Sequence, residues 1–208
     1  MKLLKSLLSA AAVACLAAAP LTAQAGLTLM LTSGLSTVTI TDGGVGDSNV
    51  AAGAITFIGG VGLWNINVST GLGVGLVPGQ FSMDLNSVDT SLAGAAALTI
   101  ALSQDYLSYG SGGLLPVTGH IGGTVGGGGT LSYDLYADSS NALFGTGGLA
   151  FSGTTSGASF GQSGGTSVLL SNPFSMTLAT TLTHTYADSS SFDFKGKIPE
   201  TVWNMRLG

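Results

Sequence analysis

Apolar and polar positions alternate with a period of two in six places along the chain. Thr37, Thr39 and Thr41 fall on one side of a short run, with Val38 and Ile40 on the other. Trp64, Ile66 and Val68 alternate with Asn65, Asn67 and Ser69, and Phe81, Met83 and Leu85 with Ser82, Asp84 and Asn86. Leu98, Ile100 and Leu102 alternate with Thr99, Ala101 and Ser103, and Leu131, Tyr133 and Leu135 with Ser132, Asp134 and Tyr136. The longest run puts Met176, Leu178, Thr180, Leu182, His184 and Tyr186 on one face and Thr177, Thr181, Thr183 and Thr185 on the other. This period belongs to strands with one side on a core, and β-branched Thr and Val suit such a surface. Gly and Asx clusters separate the runs: Asp42-Gly43-Gly44, Gly71 to Gly75, Gly110 to Gly113, Gly126 to Gly129, Asp138-Ser139-Ser140 and Ser163-Gly164-Gly165. All six read as turns. Ser91 to Leu98 reads as a loop entering a strand. Strands at this spacing, with no helical period between them, predict an all-β fold: an antiparallel β-sandwich, jelly-roll or Greek-key-like. Tyr136-Ala-Asp-Ser-Ser140 recurs as Tyr186-Ala-Asp-Ser-Ser190, and both copies read as hairpin turns.

The first 25 residues have a different character. Lys2 and Lys5 precede an apolar stretch from Leu7 to Ala19, Pro20 breaks it, and Ala23-Gln24-Ala25 supplies the small-x-small pattern. This is the layout of a secretory signal peptide cleaved after Ala25, with Ala23 and Ala25 as the recognised residues. The stretch is shorter than the ~20 residues of a membrane span. Lipidation at Cys15, after Ala12-Val13-Ala14, is the lesser alternative. The expected organisation is a signal peptide over 1–25, a β-sandwich domain over 26–197 and a short tail over 198–208. The expected destination is outside the cell or on its surface, by way of export and signal-peptidase machinery, with no transmembrane helix in the mature chain.

Composition narrows the options. Of 208 residues, 34 are Gly, 25 Ser and 23 Thr, and only 7% are charged. No Lys or Arg occurs between Ser6 and Phe194, so nucleic acid is excluded as a partner for want of a cationic patch. From residue 26 onward three cations (Lys195, Lys197, Arg206) stand against ten acidic residues. Cys15 is the sole cysteine, so a mature chain without the leader holds together by core burial alone. Polar strand faces carry Ser, Thr, Asn and Gly where soluble proteins carry Lys and Glu. A carbohydrate matrix, a polymer of like subunits or a membrane tolerates such a surface.

Candidate chemistry is sparse. His184 lies on the core-facing side of its run and reads as a packed histidine at the core rim; His120 reads as a turn or strand-edge residue. Gly161-Gln-Ser163-Gly-Gly165 matches a Gly-x-Ser-x-Gly string but lacks the strand-to-helix setting of a nucleophile elbow. Asp84 with Asp89, and Asp42 with Asp47, are the carboxylate pairs that could approach each other. Turn and strand-edge roles explain them best, a hydrolase pair or a Ca²⁺ site with Asn86 or Asn49 being the weaker alternatives. No catalytic residue, cofactor or metal ligand is assigned. Trp64, Trp203, Tyr106, Tyr109, Tyr133 and Tyr136 are the candidate sugar-stacking aromatics, although alternation turns Trp64 to the core.

A series of segments in order carries a resemblance: Thr37 to Asp42-Gly43, Asp47-Ser-Asn49, Gly53 to Phe57, Trp64 to Gly71, Met83 to Val88, Gly122 to Tyr133, Asn141 to Phe144, and Pro173 to Asp193. In this order the chain resembles secreted proteins of the PEP-CTERM (exosortase-sorted) class of Gram-negative bacteria. That class ends in Val-Pro-Glu-Pro, an apolar helix and a basic end. Here Pro199 and Glu200 remain, Thr201 replaces the second proline, and only Arg206 stands for the basic end, so the sorting signal reads as degenerate. The resemblance implies export and a role at the cell surface or in an exopolysaccharide matrix. The resulting expectation is a non-catalytic exported β-domain with a structural or weak carbohydrate-binding role. The alternatives are a self-assembling fibre or surface-layer subunit, a secreted glycoside hydrolase-like enzyme using paired Asp, and, last, an outer-membrane barrel.

Overall fold

The computed structural model describes residues 26–74 and 80–199. The expected leader with Ala23, Ala25 and Cys15, and the expected tail with Glu200, Trp203 and Arg206, lie outside them; Pro199 follows the last described strand. Twelve strands make up the described chain: β1 (Leu27–Ser33), β2 (Ser36–Thr41), β3 (Thr56–Val61), β4 (Trp64–Val74), β5 (Phe81–Ser91), β6 (Leu98–Leu107), β7 (Gly113–Thr124), β8 (Thr130–Asp138), β9 (Leu149–Thr155), β10 (Phe160–Leu170), β11 (Phe174–Thr183) and β12 (Ser189–Ile198). They form two six-stranded sheets, β2-β1-β6-β11-β8-β9 and β10-β7-β12-β5-β4-β3. Every pairing is antiparallel. The fold is an antiparallel β-sandwich, as the alternation predicts. The sheets do not close into a barrel, and side chains fill the space between them.

The period-two pattern places the core. Leu29, Leu31, Ile100, Leu102, Leu178 and Leu182 of the first sheet meet Trp64, Ile66, Val68, Met83, Leu85, Phe192 and Phe194 of the second, all buried. Burying each large aliphatic or aromatic side chain stabilises the fold by about 1.5–3 kcal/mol. Two hairpins are set by two-residue loops, Gly34-Leu35 between Ser33 and Ser36 and Gly62-Leu63 between Val61 and Trp64. Both glycines sit at φ +60°, the first central position of a II′ turn, which a side chain would strain.

Five local expectations are corrected. Gly71 and Gly73 continue β4 opposite Asp84 and Ser82, extending the ladder past the expected turn. Ser163-Gly164-Gly165 lies inside β10, laddered to His120, Gly119 and Thr118, so His120 is also mid-strand and not at a turn. The second copy of Tyr-Ala-Asp-Ser-Ser does not close a hairpin; it carries the chain from β11 in one sheet to β12 in the other. Tyr186 therefore leaves the core face. The amides of Thr185 and Tyr186 both donate to the Gly127 carbonyl, which ends β11 at Thr183 and leaves Tyr186 exposed.

Candidate functional site

The outer face of the first sheet follows directly from its register. Thr37, Thr32, Thr99, Thr181, Ser132 and Thr154 are consecutive ladder partners on β2, β1, β6, β11, β8 and β9. They form a row of six hydroxyls spanning the sheet, about 24 Å at the usual strand spacing. The hydroxyls pair along it: Thr32 with Thr37 at 3.3 Å, Thr99 with Thr181 at 3.2 Å, Ser132 with Thr154 at 3.0 Å. A hydroxyl has one donor and two acceptor sites, so each pair keeps one O–H and several lone pairs for an outside partner. Beside it runs a second row of Thr39, Met30, Ala101, Ala179, Asp134 and Ser152. Asp134 is the one charge in the two rows, and partial burial raises its pKa. A third row, Thr28, Ser103 and Thr177, is covered, with the Phe144 amide donating to Ser103 Oγ at 2.8 Å. That cover buries Ser103, a position expected on an exposed polar face.

The outer face of the second sheet carries the charge. Asp193, Lys195 and Lys197 point outward from β12 while Phe192, Phe194 and Ile198 point in. His120 lies between Ser163 and Lys195, and Lys195 between His120 and Asp84. Lys195 Nζ contacts Asp193 Oδ2 at 3.0 Å and Asp84 Oδ2 at 3.6 Å. Burial raises Asp84 to about 6, the adjacent Asp193 carboxylate adds to this, and Lys195 opposes it. His120 Nδ1 is 3.0 Å from Ser163 Oγ. Asp84 and Asp193 lie close enough on this face for each carboxylate to feel the other's charge. Both carboxylates hold Lys195.

His184 and Asp89 are further titratable groups, away from this patch. His184 closes one end of the core, Nδ1 at 2.7 Å from Ser91 Oγ and Nε2 at 2.7 Å from Ser190 Oγ, with its ring 4.7 Å from that of Trp64. Burial lowers its pKa and Asp188 partly opposes this. It is the half-buried rim histidine that alternation predicts. Asp89 is fully buried; burial raises it to about 7 against the effect of the Ser87 hydroxyl, which donates to Oδ1 at 2.7 Å. Its Oδ2 is buried without a hydrogen-bond partner.

The chain matches no protein-family model, no curated protein and no solved structure.

Other sequence candidates disperse. Asp84 and Asp89 do not form a pair, because an odd separation on one strand puts them on opposite faces; Asp84 meets Asp193 instead. Asp42 and Asp47 share a loop, but their oxygens hold backbone amides: Gly53 on Asp42, and Gly43, Asn49 and Thr56 on Asp47. Asn49 Oδ1 likewise accepts from Ala51 N. Among the described residues no three acidic or histidine side chains converge as metal ligands. Trp64 and Tyr133 are core residues, Tyr106 is exposed, and Tyr136 is half-buried on the outer face beside Thr177. The charged patch on β12 escapes the sequence reading. Its signal is present in Asp193-Phe-Lys195-Gly-Lys197, charges at every second position beside Phe192, Phe194 and Ile198.

Proposed function

We propose that this protein is an exported β-sandwich that acts by surface contact, with a structural or weakly carbohydrate-binding role at the cell surface or in an exopolysaccharide matrix. The leader pattern ending at Ala25 and the resemblance to exosortase-sorted proteins support export. The observation that carries the contact role is the row of six hydroxyls across the first sheet. A neutral polysaccharide presents hydroxyls that both donate and accept, and so does this row. Six partners in register give many weak contacts along one chain, a multivalent arrangement. Thr32→Val, Thr99→Val and Thr181→Val remove three hydroxyls with little change of shape. The wild type is expected to be retained on insoluble cellulose, a neutral glucan, and the triple variant to lose most of that retention while keeping its melting temperature. Equal retention of the two, or none of either, overturns the hydroxyl-row reading.

A second reading rests on the sheet edges. β2, β9, β3 and β10 are the four edge strands, and none carries a charged residue or a proline. Soluble β-proteins guard their edges with such residues. Unguarded edges favour pairing with like subunits, the self-assembling alternative.

A further inference from the structure

We propose that the depression formed by β10, β7 and β12 on the second sheet's outer face binds the carboxylate of an acidic sugar in a polysaccharide. This rests on the carbohydrate-contact reading and adds a charge preference on the opposite side of the sandwich. Between residues 26 and 199 the chain has nine aspartates and two cations, Lys195 and Lys197. Both cations line this one depression, together with His120, Ser163 and Thr118, and no aspartate lines it. Lys195 is held by Asp84 and Asp193 behind it. Lys197, two residues along the same face, is exposed and forms no ion pair with any described residue, so it has charge to offer. The Ser163 and Thr118 hydroxyls and the His120 ring supply hydrogen-bonding groups around it.

The depression measures about 620 Å³, within the range of small-ligand sites. Its shape follows from the sequence of β10. Ser163 is flanked there by Gly161 and Gly165, which give the outer face no side chains. Beneath it, Gly119 and Gly164 are paired, and the Phe151 ring from β9 fills the space where their side chains would stand. A sugar ring can thus approach the β10 backbone on either side of Ser163, next to His120, with the lysines beyond it on β12.

The test uses a galacturonate hexamer and its fully methyl-esterified form, which keeps the sugars and removes the charge. Binding is followed by calorimetry and by backbone amide shifts. The acid is expected to bind about tenfold more tightly than the ester, one charge-assisted contact's worth, with shifts at Gly119, Ser163 and Lys197 and a loss of affinity with added salt. Lys197→Gln is expected to remove the preference, and the Thr32/Thr99/Thr181 triple variant to keep it. Equal binding of acid and ester, or unchanged acid binding by Lys197→Gln, overturns the inference. So does a sulfated galactan hexamer that outcompetes the galacturonate for this site. Cellulose retention without a carboxylate preference removes this site and leaves the hydroxyl row standing; the preference without cellulose retention does the reverse.

Discussion

Asp89 is a fully buried acid between Ser87 and Ser91 on β5, and its consequence is a pH-dependent fold. Its carboxyl sits at about 7 in the folded chain against 3.8 when solvated. Below pH 4 it is protonated in folded and unfolded chains alike, so it contributes no difference. Between pH 4 and 7 the unfolded chain gives up the proton and the folded one keeps it, so stability declines by ~1.4 kcal/mol per pH unit. Above pH 7 a penalty of up to about 4 kcal/mol persists. Asp89→Asn keeps a partner for Ser87 and removes the titration. Its melting temperature is expected to match the wild type near pH 4 and to exceed it by several degrees at pH 8; equal curves at both pH values would contradict this. The parity of β5 puts Asp89 on the face of Met83 and Leu85, against the expected approach to Asp84. What the residues could not reveal was its missing second partner. Gly119 and Gly164 are harder still, since a glycine at a core position announces nothing until the ring that replaces its side chain is in view.

At the scale of the strand, legibility followed the size of the inward side chains. β2, β4, β5, β6, β8 and β11 announce themselves because Leu, Ile, Val, Met, Trp or Tyr stand at alternate positions. β7, β9, β10 and β12 are quieter, with Gly119, Gly153, Gly164 and Gly196 at positions whose space Phe151, Tyr133 and Leu135 occupy from other strands. That is why Ser163-Gly164-Gly165 reads as a turn and is a strand. The same quiet strand, β10, is an eleven-residue edge with no charged side chain. Placing Gln162→Lys and Thr166→Lys on it supplies the missing guard. Concentrated wild-type protein is expected to form strand-paired oligomers, seen by sedimentation and electron microscopy, and the double variant to stay monomeric. A wild type that is monodisperse at every concentration would remove the assembly reading.

Across the whole molecule the sandwich and its antiparallel pairing were legible, whereas the two outer faces proposed as contact surfaces were not. Each face is made by register between strands distant in sequence: Thr32 meets Thr99, and Lys195 meets both His120 and Asp84. Alternation says which way a side chain points but not which strand lies beside it. The strand order has its own consequence. β11 lies between β6 and β8, and β12 between β7 and β5, so the last two strands are interior to their sheets. A chain ending at residue 172 leaves each sheet in two separate halves, and it is expected to show no cooperative melting and rapid proteolysis; a protease-resistant, two-state fragment would contradict this. Among the described strands these two therefore arrive last. Emerging N-terminus first from a ribosome, the described chain is expected to complete neither layer until residues 174–198 are free.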